Sequence, residues 1–592
     1  MARPTPRSLL APAAAALLVV TAACTGSEDA GPADRSGSSR TQETEPSRPT
    51  ASERLGLETG WGPSRSQLDA AARDARRLSV DELAGQVVVA RWPSGTDAPV
   101  RYLNRLHLGG VVAFDDNIED SAAGTRDSAA GTRVLSTQLR VLQRQAQVDW
   151  PLFLGVDQEG GTVTRVTQDV TPLPSFMTTG AAHDVALTRT AWQGIGSELA
   201  GLGFTVDLAP VADVTSGTSD AIIRSRAAAG NPPAASRQAR AAAQGLLDAG
   251  VLPTLKHFPG HGGLSTDSHV GLPVQRARLR ALRETDLLPF TDAIDAGLPA
   301  IMVGHIAPQA VDPGTPASVS RPVITGLLRQ RLGFEGLVVS DALDMAGVAG
   351  VKGPPAVAFL RAGGDVVLMP PDAEVAHDTL VRAVRQGTLS RGRLEQAAAR
   401  MIATLRWSRR QAGEAGAAEG TVGARQAVRD LSRAAITVVA GKCRGALVTG
   451  RVVPLGSSSD VRRFEAAAQE AGLALGRIRQ VREPRPERTG NRKRDRRRLQ
   501  QWRRTPPRTV VGGTPVHLVG SDGVVPGPQP DRGVVVATDV PYVLGRTGAP
   551  VRIATFGDTP AAMTALADVL TGRLRAEGRL PVDVAGVPRS AC

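Results

Sequence analysis

Leu252-Pro-Thr-Leu-Lys-His-Phe-Pro-Gly-His-Gly262 joins a short apolar run to a cluster of polar side chains. Leu252–Leu255 lacks the in/out alternation of a half-exposed strand and reads as a strand buried on both faces. Lys256 and His257 follow it at once. Three further runs end in the same way: Leu152–Val156 in Asp157, Ala300–Gly304 in His305, and Leu337–Ser340 in Asp341. In a parallel α/β barrel the C-terminal ends of all strands open on one face, where active sites lie. Residues far apart in sequence are therefore expected to converge on one mouth.

Working outward, Val87–Ala90, Gly110–Phe114, Thr205–Val211 and Asp365–Leu368 complete a set of eight strand candidates. Helical patterns such as Leu187–Leu202, Ala234–Ala249 and Ala356–Ala362 lie between them. The spacing predicts an α/β fold, a (β/α)8 TIM-type barrel over residues 67–410. An open doubly wound sheet is the alternative. No Gly-x-Gly-x-x-Gly follows the first strand, which weakens a dinucleotide-binding fold. The texture then changes. Ala435–Ala440, Pro515–Val519, Gly533–Ala537 and Arg552–Ala554 read as strands and Thr559–Arg575 as a helix. A C-terminal α/β domain over 430–592 is expected, and 592 residues suffice for two cores.

The chemistry concentrates after residue 256. His257, His261 and His269 suggest a metal site, and His257 and His261 have the i,i+4 spacing that suits zinc on a helix. Pro259 and Gly260 lie between them and oppose that helix. The preferred reading has no metal and no cofactor. Instead a Gly-rich loop places His269 beside Asp267. Asp-x-His forms a carboxylate–imidazole pair in which the acid orients the ring and raises its basicity, as a proton shuttle requires.

Lys256-His-Phe-Pro-Gly-His-Gly262 followed by Asp267-Ser-His269 resembles the signature of bacterial family 3 β-N-acetylglucosaminidases. So do Val156-Asp-Gln-Glu-Gly-Gly161 with Arg165, Ser340-Asp-Ala-Leu-Asp-Met345 and Ala362-Gly-Gly-Asp-Val-Val-Leu-Met-Pro370. The similarity runs from about residue 75 to 410. Gly578-Arg-Leu-Pro-Val582 is similar to the second domain of longer members. The resemblance implies hydrolysis of β-linked N-acetylglucosamine (GlcNAc) with retention. It assigns Asp341 as nucleophile and His269 as acid/base with Asp267 as its partner. Asp157, Arg165, Lys256 and His257 match sugar-binding positions. Arg226 matches a further binding Arg, but the family has Ile-Gly-x-Arg there. This chain reads Ile223-Arg-Ser-Arg226, with Ala228 in place of the usual aromatic.

Two carboxylates are the common pair in such enzymes, and His–Asp is a second way to supply the transferable proton. Taken alone, Asp341 would read as a capping Asp at a strand-to-helix turn. The other strand-end polar residues on the same rim favour function. Three functions remain in view: hydrolysis of terminal β-GlcNAc from peptidoglycan or chitin fragments, phosphorolysis of the same bond, and non-catalytic wall binding. A neutral imidazole repels phosphate less than a carboxylate would, whereas export argues against making a sugar phosphate.

The ends of the chain bear on location. Arg3 and Arg7 precede the apolar run Leu9–Ala23, which is too short to span a bilayer and reads as a signal peptide over 1–24. Thr21-Ala-Ala-Cys24 resembles the lipobox of bacterial lipoproteins, with Thr21 where Leu or Val is usual. Cys24 would then be lipidated and the protein held on the outer face of the cell membrane. Ordinary secretion is the alternative. Residues 25–66 read as a flexible tether. Cys443 and Cys592 remain, and export permits a disulfide without establishing one.

The net charge of +13 is concentrated. Residues 477–508 hold fourteen Arg or Lys against three acids, a net of +11. The run reads as a solvated, disordered insertion. Its functional reading is contact with an anionic wall polymer and not nucleic acid, which an exported protein seldom meets. Asp120-Ser-Ala-Ala-Gly-Thr-Arg126 is repeated as Asp127–Arg133, a tandem duplication expected in a surface loop.

The anchor is tested by Cys24→Ser, which is expected to move the protein from the membrane fraction to the soluble one. A wild-type protein that is fully soluble and carries no acyl mass would remove the anchor.

Overall fold

Short apolar runs become parallel strands here because both faces are covered, one by helices and the other by opposing strands. They are β1 (Val88–Arg91), β2 (Gly110–Val112), β3 (Phe153–Val156), β4 (Val206–Asp207), β5 (Leu252–Pro253), β6 (Leu255–Phe258), β7 (Ala300–Val303), β8 (Leu337–Ser340) and β9 (Val367–Leu368). The computed structural model describes residues 48–95, 97–118, 129–414, 423–481, 496–501, 508–527 and 530–592. Cys24, residues 25–47, most of the heptapeptide repeat and much of the basic run lie outside them.

The strands form two parallel half-barrel sheets, in the orders β9-β1-β2-β3-β4-β5 and β8-β7-β6. The single eight-stranded sheet expected from the sequence is divided because ladder bonds lapse at two seams. Thr254 separates β5 from β6, and one bridge, Val339 to Val366, joins β8 to the residue before β9. The strand after Thr254 also runs further than expected, so Lys256 and His257 lie within β6.

Alternate strand residues enter two separate cores. Val89, Val112, Phe153, Val206, Leu252, Ala300, Leu337 and Leu368 pack together on one side. Val88, Val111, Leu154, Ile301, Val338 and Val367 pack with the helices on the other. The covering helices start and stop where local chemistry dictates. Asp184 caps Val185–Leu202 by accepting from the N–H of Ala186 and Leu187, and Gly203 ends it at φ 111°. Asn231 and Pro232 open Pro232–Asp248 in the same manner.

Residues 49–66 are a correction to the expected tether. Leu57 and Trp61 are buried, and Ser52 donates to Asp69 through its N–H (2.8 Å) and its Oγ (2.7 Å). Two large apolar side chains outweigh the polar composition around them. The heptapeptide repeat is corrected in part, because its second copy runs into the helix Ala129–Gln145.

The second domain is a five-stranded sheet built from β10 (Thr437–Ala440), β11 (Val452–Leu455), β14 (Thr514–Val519), β15 (Val534–Ala537) and β16 (Val551–Ala554). Its order is β10-β16-β15-β14-β11, parallel except for β10. Within the basic run, β12 (Ile478–Val481) and β13 (Arg508–Val511) pair antiparallel, so both edges of the expected disordered insertion are ordered. Cys443 and Cys592 form a disulfide, which ties the chain end to the loop after β10. No described helix is long and apolar enough to cross a membrane.

The two domains share a core. Met177 and Ala181 from the first pack with Val439, Val519, Phe556 and Leu580 of the second. Ser175 Oγ donates to the Phe556 carbonyl at 2.6 Å. The tail motif 578–582 docks here as well: Arg579 N–H donates to the Ala181 carbonyl, and Gly230 N–H to that of Pro581.

Behind the strands, Asp365 is fully buried and accepts from Arg329 (2.6 Å), Arg400 (2.8 Å) and Arg393 (3.0 Å). Burial would raise its carboxyl, but the three guanidinium groups and the Val338 N–H hold it below the usual range. Burial and the neighbouring Arg400 push Arg329 down to about 9. Asp365→Asn strands three cations around a neutral group. A loss of about 3–5 kcal/mol is expected in denaturant unfolding, and an unchanged midpoint would show that the cluster contributes little.

Candidate active site

Lys256 is the least soluble element of the mouth. It is 3% exposed on β6, and an ammonium group there requires paired anions. Its Nζ donates to Asp157 Oδ1 at 2.6 Å and contacts Glu159 Oε1 at 2.7 Å. Glu159 also accepts a two-pronged bond from Arg226, through Nε at 2.7 Å and Nη2 at 2.8 Å. Burial would lower Lys256, yet Asp157 and Glu159 raise it above the ordinary lysine value. Burial would likewise raise Glu159, yet Arg226 and Lys256 hold it well below the carboxylate range. Lys256 and Glu159 therefore both stay charged.

Backbone geometry places Glu159 there. After β3, Gln158–Gly160 folds back on Val163–Thr164 in an antiparallel hairpin. Gly160 has φ 89°, and a Cβ on it would come within 2.4 Å of the Pro174 carbonyl, so glycine is required. Gln158 holds the hairpin shut, donating to the Val166 carbonyl (2.8 Å) and accepting from Arg165 N–H (3.1 Å). Arg165 leaves the hairpin over the Phe114 ring, 5.1 Å from its centre.

Asp341 follows β8 and is 8% exposed. Burial pushes its carboxyl up. The imidazoles of His305 and His257 and the Ala342 N–H, which donates at 2.9 Å, bring it below the usual value. His305 is itself locked. Its Nε2–H donates to the Ala342 carbonyl at 2.8 Å, and its Nδ1 shares a hydrogen bond with Ser318 Oγ at 2.7 Å. His257 is oriented by Asp213: Nδ1–H donates to Oδ2 at 2.7 Å and leaves Nε2 for the mouth. Asp213 also accepts from His261 N–H at 2.7 Å. Burial would raise Asp213, and His257 draws it down. Burial and the nearby His257 keep His261 below the ordinary histidine value.

His269 is exposed at the rim, its side chain 66% accessible. Its Nδ1 meets Asp267 Oδ1 at 2.7 Å, and its N–H donates to the same oxygen at 2.9 Å. Burial would raise Asp267, while these bonds hold it low, so the ring faces an ionised acid.

Asp157, Arg165, Arg226, Lys256, His257, His269 and Asp341 thus line one cavity of about 270 Å³, closed by Phe114, Met302 and Met369. Asp267 stands behind His269 and does not line it. The mouth also contains residues that sequence reasoning passed over. Glu159 lies inside a quoted motif, and Asp213, two residues past the Thr205–Val211 run, stands behind His257. Among the described residues, no three His, Cys, Asp or Glu side chains are placed to hold a metal ion. His257 and His261 flank a turn and not a helix face.

Residues 79–404, more than half of the chain, match the family described as "Glycosyl hydrolase family 3 N terminal domain". The chain belongs to glycoside hydrolase family 3. It is 34% identical over 287 residues to a protein named beta-hexosaminidase A from Pseudoalteromonas piscicida, covering 45% of this chain and 46% of that one. It is 39% identical over 240 residues to a beta-hexosaminidase of Thiobacillus denitrificans, covering 39% and 66%. The chain therefore spans about half to two thirds of these relatives. A family 3 beta-N-acetylglucosaminidase from Paenibacillus superposes with a TM-score of 0.70 at 28% identity, covering 86% of this chain and 99% of that one.

Glu159→Gln keeps the shape of the side chain but leaves Lys256 and Arg226 short of one negative charge. A fall in kcat/KM of at least about tenfold, with a lower melting temperature, is expected. Activity within about twofold of wild type would separate this network from the site.

Proposed function

We propose that this protein is a retaining β-N-acetylglucosaminidase that removes terminal β-linked GlcNAc from peptidoglycan or chitin fragments. The observation that carries the reading is one cavity at the strand ends. It contains a buried, ionised Asp341, and an Asp267-braced imidazole sits at its rim. The names carried by the similar proteins support the sugar, and a cavity of about 270 Å³ suits one sugar ring better than a polymer segment. The order of strand neighbours supports a single eight-membered ring, the (β/α)8 barrel, with its two seams bridged by residues 254 and 366.

In this reading Asp341 attacks the anomeric carbon as the glycosidic C–O bond breaks. The leaving oxygen takes a proton from His269. Water then attacks the glycosyl-Asp341 ester, gives its proton to His269 and frees the carboxylate. Lys256, Arg226, Arg165, Asp157 and His257 bond the sugar hydroxyls and hold the ring in place. Asp267 orients His269 and stabilises its cationic form. Export and lipid anchoring on the outer face of the cell membrane belong to the same proposal, and the Cys443–Cys592 disulfide suits an oxidising compartment. The basic run 477–508 would then meet anionic wall polymer.

The test uses aryl β-GlcNAc substrates. Free GlcNAc is the expected product, and GlcNAc-1-phosphate formed in phosphate buffer would make the enzyme a phosphorylase. A slow fluorinated sugar is expected to add its mass to the Asp341 peptide. His269→Ala is expected to slow substrates with poor leaving groups far more than those with good ones. An unlabelled Asp341, or a loss independent of the leaving group, overturns the assigned roles.

A further inference from the structure

Arg224 holds φ +52°, a left-handed backbone that an L side chain keeps only when its surroundings fix it. Part of that fixing is local. The Asp220 carboxylate accepts from the N–H groups of Ile222 (3.0 Å), Ile223 (2.8 Å) and Arg224 (2.9 Å). The rest comes from the second domain. The Arg224 guanidinium donates to the Ser521 carbonyl at 2.6 Å and to Asp539 Oδ2 at 3.3 Å. Ser225 Oγ donates to Asp539 Oδ1. Asp539 is buried, two residues past β15, so the sheet sets its position. One residue further along the turn, Arg226 points back into the first domain and grips Glu159 in the cavity.

We propose that Asp539 is a positioning residue for the sugar site. By holding Arg224 and Ser225, it keeps the turn in the left-handed conformation that aims Arg226 at Glu159. The second domain thereby acts on substrate binding without contributing a group to the cavity wall. Without the Asp539 carboxylate, Arg224 and Ser225 lose their shared acceptor and the turn relaxes toward ordinary backbone. Arg226 then meets Glu159 off its two-pronged geometry. Binding of the sugar ring suffers, whereas Asp341 and His269, held by other elements, do not move.

The inference rests on the GlcNAc reading for its kinetic readout, so the test has two independent arms on the full chain. In the first, Asp539→Ala is expected to raise KM for aryl β-GlcNAc about tenfold with kcat within about threefold. Adding Arg224→Gly supplies a residue that accepts φ +52° freely, and KM is expected to return to within about threefold of wild type. A merely structural Asp539 would lower kcat as well, and the glycine would add damage. An unchanged KM in Asp539→Ala, or a double variant no better than the single, overturns the proposal. Should Asp539→Ala not fold, Ser225→Ala removes half of the same contact. It is expected to raise KM about threefold and to be relieved by the same glycine, and no change in KM overturns the proposal equally.

The second arm needs no substrate. Amide exchange over residues 222–228 is expected to quicken at least about tenfold in Asp539→Ala, or in Ser225→Ala in its place. Unchanged exchange overturns the clamp whatever the substrate. A wild type that releases no GlcNAc, with the exchange change present, defeats the functional reading and leaves the clamp standing.

Discussion

A buried ammonium at Lys256 constrains everything around the mouth of this fold. Water cannot solvate it, so carboxylates must. Asp157 and Glu159 supply them from the end of β3 and the hairpin beyond it. Glu159 in turn requires Arg226, which comes from the loop after β4. One charge thus ties together β6, the end of β3 and the loop after β4, while Asp341, His257 and His269 are held by contacts of their own. Such a network is costly to half-satisfy, because removing any member leaves a buried charge without its partner. Under the proposed function, the same fixed charges would serve as pre-organised donors and acceptors for a sugar ring.

What the sequence displays is local. An apolar run ending in a charged residue is visible within six or seven residues, and that pattern located Asp157, Lys256, His257 and Asp341. The Asp267–His269 pair is equally local. Glu159 was not legible as a site residue, because its significance depends on partners 67 and 97 positions away. The two seams in the parallel sheet escaped notice for a similar reason, since ladder continuity is a property of neighbouring strands and not of any run. Residues 49–66 have the composition of a tether, yet Leu57 and Trp61 find an apolar surface that composition cannot reveal. In the second domain, β11 and the helix Ser458–Glu470 were hidden because a four-residue strand beside a charged helix carries little periodicity.

The relation between the two domains is closer than that of beads on a string. Their boundary contains a shared apolar cluster, a serine-to-carbonyl bond and a docked tail motif, and it lies within a few residues of the turn that carries Arg226. Interfaces with an apolar core of this kind move less readily than polar ones. A charged side chain at Arg224, where the family pattern has glycine, is accommodated because the partner domain offers it an acceptor. The departure in the first domain and the acidic residue in the second are therefore best understood together.

The Cys443–Cys592 bond closes a loop across 149 residues of the second domain, and the arginine-rich run 477–508 lies entirely inside that loop. A protease that prefers arginine would find its richest target there. A single cut within the loop would not release a fragment, because the two pieces remain joined by sulfur and by the β-sheet built from both. A chain cut there would thus remain one molecule until a reductant reaches the disulfide.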